Sequence, residues 1–319
     1  MRIAIIGCGV AGLSAARELR RHGIDTILFD KSRGVGGRMS TRYAREWEFD
    51  HGAQFFTIQD AEFKAEIERA IAAGVVSPWE SKGLYLNAAG QVSTDKGRPR
   101  YVARPRMNSL VKFWAKDLDV KLGKRVSVVD KGNGWTLSFE DGTSMGGFDG
   151  VISTLPPAQA ARLLPRNYVH SEAVLSAEMH VCFCLMIGLD GPFNPGWDTL
   201  RVKDLPIDWI AVNHAKPGRP QQVGTLVVHS EAAWSDAHVD ASRDWVQNVM
   251  LDSASALVGM PFKNAPHIAL HRWLYASNKI SPNKLTLKDD GYVVAGDWCW
   301  GGRVQGAWLS GRAAAQAFL

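Results

Sequence analysis

The sequence predicts an α/β fold of two domains, and three observations support that prediction. The chain opens with a β-branched strand, a glycine-rich turn, a helix and a second strand, the order of a nucleotide-binding βαβ unit. Apolar strands separated by loops rich in Gly, Pro and Trp fill its middle. A last strand and a glycine-containing helix return to the first unit. Because 319 residues exceed the size at which one core usually stays single, we expect a Rossmann-like domain beside a second, mostly antiparallel α+β domain.

Composition narrows the classes of function. The net charge of +5 is mild and unclustered, which favours small anionic ligands over nucleic acid. No stretch approaches the ~20 apolar residues of a membrane span. The cysteines Cys8, Cys182, Cys184 and Cys299 form neither a C-x-x-C pair nor a zinc spacing. The N-terminal apolar run contains glycines and flows into a second strand, so we interpret it as structure rather than a leader. We expect a cytoplasmic protein without a metal, a nucleic-acid partner or a membrane partner.

The first motif is Gly7-Cys8-Gly9-Val10-Ala11-Gly12, directly after the strand Arg2–Ile6. Gly7 permits a tight turn, Gly9 lets the backbone approach a pyrophosphate, and Gly12 lets the next helix pack closely on the strand. The motif therefore predicts a dinucleotide site at this turn.

The context of this turn strengthens the prediction. A helix is expected from about Ala11 to His22, with its N-terminal amides facing the phosphates. A second strand, Asp25 to Phe29, ends at Asp30, where an acid accepts ribose hydroxyls and repels a 2′-phosphate. Strand, glycines, helix, strand and acid occur in the required order, which favours a dinucleotide site over a chance glycine turn.

A second glycine cluster favours FAD over NAD. The run Asp30-Lys31-Ser32-Arg33-Gly34-Val35-Gly36-Gly37-Arg38-Met39 offers bare backbone beside a guanidinium that suits phosphate oxygens. It resembles the second fingerprint of the flavin amine oxidase superfamily. The segment Asp50-His51-Gly52-Ala53-Gln54-Phe55-Phe56 is similar to the stretch that this superfamily brings against the flavin ring. The resemblance implies FAD contacts from Lys31, Gly36, Gly37, Arg38, Gly52, Ala53, Gln54 and Phe55.

Two later segments are also expected to contact FAD. A hairpin is predicted over Arg125–Asp130 and Trp135–Glu140, and Val126 matches a valine that contacts adenine in related flavoproteins. The strand Gly291–Ala295 ends at a Gly-Asp pair that in such folds contacts the ribityl chain or the pyrophosphate. In such folds the helix that follows directs its N-terminal dipole at the flavin pyrimidine, and the resemblance implies the same here. The cofactor residues implied here are Gly296, Asp297, Val304, Gly306 and Ala307.

The remaining pattern predicts the domain organisation. Helices are expected over Asp60–Ala73, Asn108–Lys116 and Asp240–Val258, and strands over Asp149–Leu155, Met179–Leu189 and Pro266–Tyr275. We assign 1–57, 101–160 and 287–319 to a discontinuous FAD-binding domain of the amine oxidase type. Residues 58–100 and 161–286 are assigned to the substrate domain that roofs the flavin.

Longer segments resemble the renalase-like proteins of this superfamily, especially the bacterial ones. The resemblance lies in Phe29–Ser40, Gly52–Thr57, Asp208-Trp209, His271–Ala276, Gly296–Cys299 and Gly302–Gly311. It implies an oxidase that takes a hydride from 2- or 6-dihydro-NAD(P) and passes electrons to dioxygen, giving NAD(P)⁺ and hydrogen peroxide. A dihydropyridine becomes aromatic when it loses hydride, so positioning can suffice without a strong base.

Amine oxidation or desaturation is the first alternative function, and a non-catalytic, redox-sensing FAD protein is the second. Amine oxidases often carry a lysine on the strand that covers the flavin, whereas the comparable strand, Glu178 to Phe183, has none, and His180 lies nearest that position. No histidine or cysteine occurs in a pattern typical of covalent flavin linkage, so we expect FAD to bind non-covalently.

A flat nicotinamide ring favours aromatic walls and polar groups that hydrogen-bond its amide. We therefore interpret Gln54, His180 and Tyr275 as candidate catalytic residues. The candidate substrate-pocket residues are Trp209, Asn213, Trp273 and Arg303.

Overall fold

The computed structural model describes residues 1–95 and 97–319. In chain order its strands are β1 (Arg2–Ile6), β2 (Asp25–Asp30), β3 (Arg42–Ala44), β4 (Trp47–Phe49), β5 (Val76–Trp79), β6 (Gly83–Leu86), β7 (Val92–Thr94), β8 (Arg100–Ala103), β9 (Asp119–Leu122), β10 (Val126–Lys131), β11 (Trp135–Phe139), β12 (Ser144–Phe148), β13 (Gly150–Ser153), β14 (Glu178–Leu189), β15 (Thr199–Val202), β16 (Ile207–Val212), β17 (Gly224–Ser230), β18 (His267–Ile280), β19 (Thr286–Asp289) and β20 (Tyr292–Ala295). The helices are α1 (Val10–Arg21), α2 (Ala61–Ala72), α3 (Asn108–Ala115), α4 (Pro157–Ala160), α5 (Ser171–Leu175), α6 (Ala232–Ala237), α7 (Arg243–Val258) and α8 (Arg303–Ala315).

The first sheet is the nucleotide-binding one. Its order is β19-β20-β13-β1-β2-β9, and all neighbours are parallel except β19 with β20. Ile3 and Ile5 of β1 belong to one hydrophobic cluster, while Ala4 and Ile6 belong to another on the opposite face. A parallel sheet covered on both faces is the arrangement that the β-branched run of β1 predicts. The Rossmann-like domain is therefore confirmed.

Helices α1 and α8 pack side by side through small residues. A Cβ added at Gly311 would lie 2.1 Å from the Ala11 carbonyl oxygen, so only glycine permits this approach. The Ser14 hydroxyl donates to the Trp308 carbonyl oxygen at 2.8 Å and fixes the register of the pair. The first and last helices of the described chain are thus joined in one layer.

The second sheet is built mainly from the middle of the chain. Its order is β18-β14-β17-β16-β15-β6-β7, with antiparallel neighbours except for the parallel pair β15 and β6. Helix α7 packs Val246 and Met250 into the core on one face of this sheet. The opposite face packs Cys184, Met186 and Val227 against Trp47 and Phe49, and other residues of the same strands line the cavity described below.

Some segments pack differently from the sequence assignment. Helix α2 begins with Asp60 capping the Phe63 amide at 2.8 Å, as predicted. However, Phe63 and Ile67 lie in the cluster that contains Ile5 of the nucleotide-binding sheet, and the Phe63 ring is 5.4 Å from that of Trp308. Tyr168 and Val174, just beyond residue 160, pack on the other side of the same sheet. Parts of 58–100 and 161–286 therefore extend the nucleotide-binding domain rather than the roof.

Three other details differ from the pattern-based expectations. Strand β9 adds an edge to the first sheet that the alternation did not predict, and β12 extends the predicted hairpin to three strands. Trp245 is one of the apolar positions of the helix predicted over Asp240–Val258, but it is exposed and stacks on Trp234 and His238. Among the described residues, no helix is long and apolar enough to cross a bilayer.

Candidate active site

One large cavity of about 1940 Å³ lies between the two sheets. We call its part lined by Gly9, Asp30, Gly37, Val126 and Asp297 the cofactor end. The part lined by His51, Arg201, Asp208, His229 and Tyr275 is called the substrate end. Both ends belong to one cavity, so a molecule bound at the cofactor end can contact a molecule bound at the substrate end.

Two helix N-termini open onto this cavity. The N-cap residues of helices α1 and α8 are Gly9 and Gly302, and in neither helix does a side chain cap the free amides. A Cβ at Gly9 would meet nothing within 4 Å, so the backbone there faces open space. Unpaired amides and the positive end of a helix dipole suit phosphate oxygens. The site therefore fits the pyrophosphate of a dinucleotide such as FAD.

The predicted cofactor residues divide into two groups. Those that line the cavity are Gly7, Gly9, Ala11, Asp30, Lys31, Gly36, Gly37, Arg38, Gly52, Ala53, Gln54, Phe55, Val126, Gly296, Asp297, Val304 and Ala307. Gly12 and Gly306 instead permit close packing, because a Cβ at Gly12 would lie 2.0 Å from the Gly7 oxygen and one at Gly306 2.7 Å from the Trp300 oxygen.

Asp30 organises the turn that it follows. Its carboxylate accepts the Cys8 amide and the Ser32 amide, each at 2.8 Å. It therefore ties the glycine turn after β1 to the start of the second glycine cluster. A carboxylate held this way remains on the cavity wall, where an acid was expected to meet ribose hydroxyls.

Arg38 has a different partner from the expected one. Its guanidinium contacts both carboxylate oxygens of Asp297, at 2.9 and 2.5 Å, and donates to the Ala276 oxygen at 3.1 Å. A bidentate pair of this kind is the strongest form of arginine–carboxylate contact. Arg38 lines the cavity with this pair in place, so a contact between its guanidinium and the pyrophosphate stays a prediction.

Gln54 lies on the cavity wall, but its polar atoms are engaged internally. Its Nε2 donates to the Asp50 oxygen and to the Gly52 oxygen, the latter at 3.0 Å. Its Oε1 accepts the Nζ of Lys216 at 3.1 Å. These bonds fix the loop 50–55, and because Gln54 still lines the cavity, its catalytic role stays a prediction.

Lys216 belongs to a buried ionic network that the motifs did not reveal. Its Nζ contacts Asp50 Oδ2 at 3.4 Å and Asn213 Oδ1 at 2.9 Å. Arg219 also donates to Asp50 Oδ2, at 2.6 Å. All four side chains are buried, so one carboxylate is shared by two cations. Asn213 therefore lies in this network and not in the pocket where it was predicted.

Burial and charge oppose each other in this network. Burial favours a neutral Asp50, but Lys216 and Arg219 outweigh it and lower the pKa of Asp50 to about 2. Burial lowers the pKa of Lys216 to about 8, although Asp50 opposes that change. Lys216 lies outside the glycine motifs, with no local pattern around it, and only the position of the loop after β16 brings it beneath residues 50–54.

Three histidines lie at the substrate end. His51 belongs to the loop 50–55, whereas His229 of β17 and His271 of β18 belong to the second sheet. His51 stacks on Trp273 with ring centroids 4.9 Å apart and meets His271 edge to face at 5.0 Å. His229 Nε2 lies 3.2 Å from the His51 carbonyl oxygen. Burial lowers the pKa of His229 to about 4 and that of His51 to about 3. These imidazoles are therefore neutral at neutral pH. His271 lies on β18 and also lines the cavity.

The remaining predicted residues differ in where they lie. Trp273, Tyr275 and Arg303 line the cavity, and Trp273 Nε1 is fixed by a bond of 2.9 Å to the His51 oxygen. Trp209 is buried behind Phe55, 5.5 Å away between ring centroids, so it supports the wall rather than forming it.

His180 does not line the cavity. Its Nδ1 pairs with the Asp236 carboxylate at 2.7 Å on a partly exposed part of the roof. The irregular pairing between β14 and β18 separates it from Val181 and Cys182, which do reach the cavity. The prediction that His180 is catalytic is corrected for that reason.

The substrate end is markedly basic. Cationic side chains that line the cavity include Arg42, Arg98, Lys112, Arg201 and Arg303. Of these, Arg42 lies near His51 and His271, and Arg201 lies near Asp208. Within 1–95 and 97–319, none of them has a carboxylate within 4.0 Å, whereas Arg100 is paired with Asp95. Such a lining attracts anions and repels cations.

Comparison with known proteins places this architecture in a family. Residues 80–319 match the model of flavin containing amine oxidoreductases, and residues 5–65 match that of NAD(P)-binding Rossmann-like domains. The FAD-dependent monooxygenase cctM of Talaromyces islandicus is 26% identical over 60% of this chain and 53% of its own length. A 4,4′-diapophytoene desaturase of Staphylococcus haemolyticus is 39% identical over 22% of this chain and 14% of its own. The chain thus spans about half or less of the length of these curated relatives.

Solved structures share the whole fold at low sequence identity. Cyclohexylamine oxidase from Brevibacterium oxydans superposes with a TM-score of 0.77 at 14% identity, covering 99% of this chain and 98% of that one. Putrescine oxidase bound to putrescine gives a TM-score of 0.74 at 14% identity, covering 100% and 99%. The expected family and the FAD cofactor are confirmed: the chain belongs to the flavin containing amine oxidoreductase family.

Proposed function

We propose that this protein is an oxidase of isomeric dihydronicotinamides. A 2- or 6-dihydro-NAD(P) molecule gives up a hydride and leaves as NAD(P)⁺, and with one further proton the two electrons reduce dioxygen to hydrogen peroxide. Bound FAD supplies the chemistry of accepting a hydride and returning electrons to dioxygen. We expect this FAD to be held non-covalently, through the backbone of the turn after β1, the second glycine cluster and the N-terminus of α8.

The observation that carries the proposal is the unpaired basic lining of the substrate end. Arg42, Arg98 and Arg201 suit the phosphates of a dinucleotide. The same charges oppose entry of an ammonium or a polyamine. The roof also lacks a lysine among the residues of β14 that reach the cavity, Val181 and Cys182.

The proposed reaction requires the substrate ring to be correctly oriented, and it does not require a base that removes a proton. The indole of Trp273 is held by His51 on one side and offers a flat wall beside Tyr275. The neutral His229 and His271 add no positive charge beside a ring that becomes a cation. Holding the reacting C–H about 3 to 3.5 Å from its acceptor is worth several kcal/mol of the barrier.

A second candidate is amine oxidation or a related desaturation. It is favoured by the family and by one feature of the cavity, the carboxylate of Asp208, which could pair with an ammonium. The arginines Arg42, Arg98 and Arg201 along the same cavity favour the first candidate.

Rapid anaerobic mixing separates the two candidates. The holoenzyme is mixed with 2-dihydro-NAD, 6-dihydro-NAD, ordinary NADH, putrescine and cyclohexylamine while flavin absorbance is followed. We expect the 2- and 6-dihydro isomers to bleach the flavin at least about a hundredfold faster than NADH or either amine, because only they place the hydride correctly. Equal or faster bleaching by NADH or by an amine would contradict the proposal.

A further inference from the structure

Asp208 owes its position to an irregularity in β16. The register between β16 and β17 shifts between Ile207 and Trp209, so two residues of β16 oppose one of its partner. Ile207 and Ile210 belong to the core beneath α7. Between them, Asp208 lines the cavity, and Trp209 packs behind Phe55 of the cavity wall. β-bulges are used in this way to redirect a side chain next to an active site.

The carboxylate of Asp208 is unused within the described part of the chain. It makes no hydrogen bond of 3.5 Å or less and no ion pair within 4.0 Å among residues 1–95 and 97–319. By contrast, Asp30, Asp50 and Asp297 are each held by two or more donors. A partly buried acceptor without a donor is costly to leave unpaired, so a ligand that offers N–H groups is favoured there.

Three groups face Asp208 from neighbouring elements. Burial raises the pKa of Asp208 to about 6, Arg201 of β15 opposes the rise, and Glu231 adds to it. The thiol of Cys182 on β14 also lies close, and burial keeps it protonated with a pKa of about 12. Asp208 is therefore largely ionised at neutral pH, ready to accept a hydrogen bond.

We propose that Asp208 accepts the carboxamide N–H of the dihydronicotinamide ring and so selects nicotinamide among similar pyridines. The inference rests on the proposed function and names the recognition element of its substrate. A carboxamide fits this acceptor because it donates two N–H groups without carrying charge. It therefore meets no repulsion from Arg201 and the other cations, whereas an ammonium would.

The test compares three ring substituents on otherwise identical dinucleotides. The 2- and 6-dihydro isomers are prepared from NAD⁺, from its 3-acetylpyridine analogue, which lacks the N–H, and from nicotinic acid adenine dinucleotide, which carries a carboxylate. Wild type, Asp208→Ala and Asp208→Asn holoenzymes are compared with Asp240→Asn, which removes an exposed carboxylate outside the cavity. Apparent Kd and limiting reduction rate are measured separately.

We expect wild type to bind the carboxamide about tenfold or more tightly than the acetyl analogue. Asp208→Ala should bring this ratio close to one, and Asp208→Asn should keep part of it while gaining affinity for the carboxylate. Asp240→Asn should behave as wild type. An unchanged ratio in Asp208→Ala would overturn the inference.

Binding of the oxidised dinucleotides is measured so that failure of this inference can be distinguished from failure of the proposed function. Oxidised holoenzymes are titrated with NAD⁺, its acetyl analogue and nicotinic acid adenine dinucleotide, and the flavin spectrum reports binding without turnover. If no dihydro isomer reduces the wild-type flavin, the proposed function fails. If the isomers reduce it but neither Asp208 variant changes the order of binding, only the role of Asp208 fails. Should Asp208→Ala not fold, the preference switch expected for Asp208→Asn decides alone.

Discussion

The two ends of the cavity are built in opposite ways. The cofactor end uses backbone groups of short contiguous segments, such as the turn around Gly9 and the start of α8. The substrate end uses side chains from separate strands, including His229 of β17, Asp208 of β16 and Tyr275 of β18. A phosphate can be bound by any backbone in the right conformation, whereas a substrate ring needs particular side chains. The cofactor end is therefore expected to tolerate sequence change outside its glycines, and the substrate end to respond to single side chains.

The largest loss of stability is expected at a position of the cofactor end where only glycine fits. Gly12→Ala places a Cβ 2.0 Å from the Gly7 oxygen, which α1 cannot accommodate without leaving the sheet. We expect a loss of more than about 4 kcal/mol in the free energy of unfolding, or no folded protein. Urea unfolding and bound FAD per chain check this.

Gly9→Ala is the matched variant for that prediction. Its Cβ meets nothing within 4 Å and its φ of −79° suits alanine, so the fold should be retained within about 1 kcal/mol. The methyl group projects into the cavity, so FAD content should fall while the apoprotein stays folded. If Gly9→Ala unfolds as readily as Gly12→Ala, packing and cofactor contact are not separate roles of these two glycines.

The next effect concerns the network beneath the substrate end. Lys216→Met leaves Gln54 Oε1 without its donor and leaves Asp50 with Arg219 as its remaining cation. Breaking a buried ion pair on one side costs about 3 kcal/mol, so the free energy of unfolding should fall by that amount. FAD should stay bound, because the cofactor end holds it through backbone.

Lys112→Met is the control for Lys216→Met. It also removes one positive charge, but Lys112 is exposed, so stability should change by less than about 0.5 kcal/mol. Equal destabilisation by the two variants would mean that the network around Asp50 does not contribute as its burial indicates.

The smallest effect is a dependence on pH. The folded pKa of His229 is lowered from 6.5 to about 4, so the unfolded chain binds the extra proton first as pH falls. Stability is therefore present above pH 6.5 and is lost toward pH 4. Between pH 7 and pH 5 this histidine should cost about 2 kcal/mol.

His229→Gln can still donate to the His51 oxygen but cannot titrate. Urea unfolding of both proteins is measured at pH 7 and pH 5. Between these values the free energy of unfolding of His229→Gln should fall by about 2 kcal/mol less than that of wild type. Parallel pH profiles for the two proteins would show that His229 is not the group that titrates.

The contrast between the ends also explains what the sequence could predict. The turn at Gly9, the acid at Asp30 and the last helix were found because their chemistry lies in consecutive residues. Trp209 and His180 were misplaced because strand alternation fails at irregular pairing, as between His180 and Cys182. Lys216 could not be found at all, since its role depends on a loop meeting residues more than 160 positions away. Its partner Asp50 belongs to a segment that the sequence did predict to lie at the flavin ring, but no pattern indicated a buried cation beneath that segment.

The close packing of α1 on α8 also sets an order of events during synthesis. Gly311 must meet Ala11, and Ser14 must meet Trp308, before the layer behind β1 is complete. The ion pair of Arg38 likewise cannot form until Asp297 has been synthesised. A nascent chain can form the glycine turn early, yet it cannot present two helix N-termini to one pyrophosphate until residue 303 and the helix behind it exist. Cofactor binding is therefore a late step in the synthesis and folding of the chain. Until α8 is made, the turn after β1 stays exposed to water.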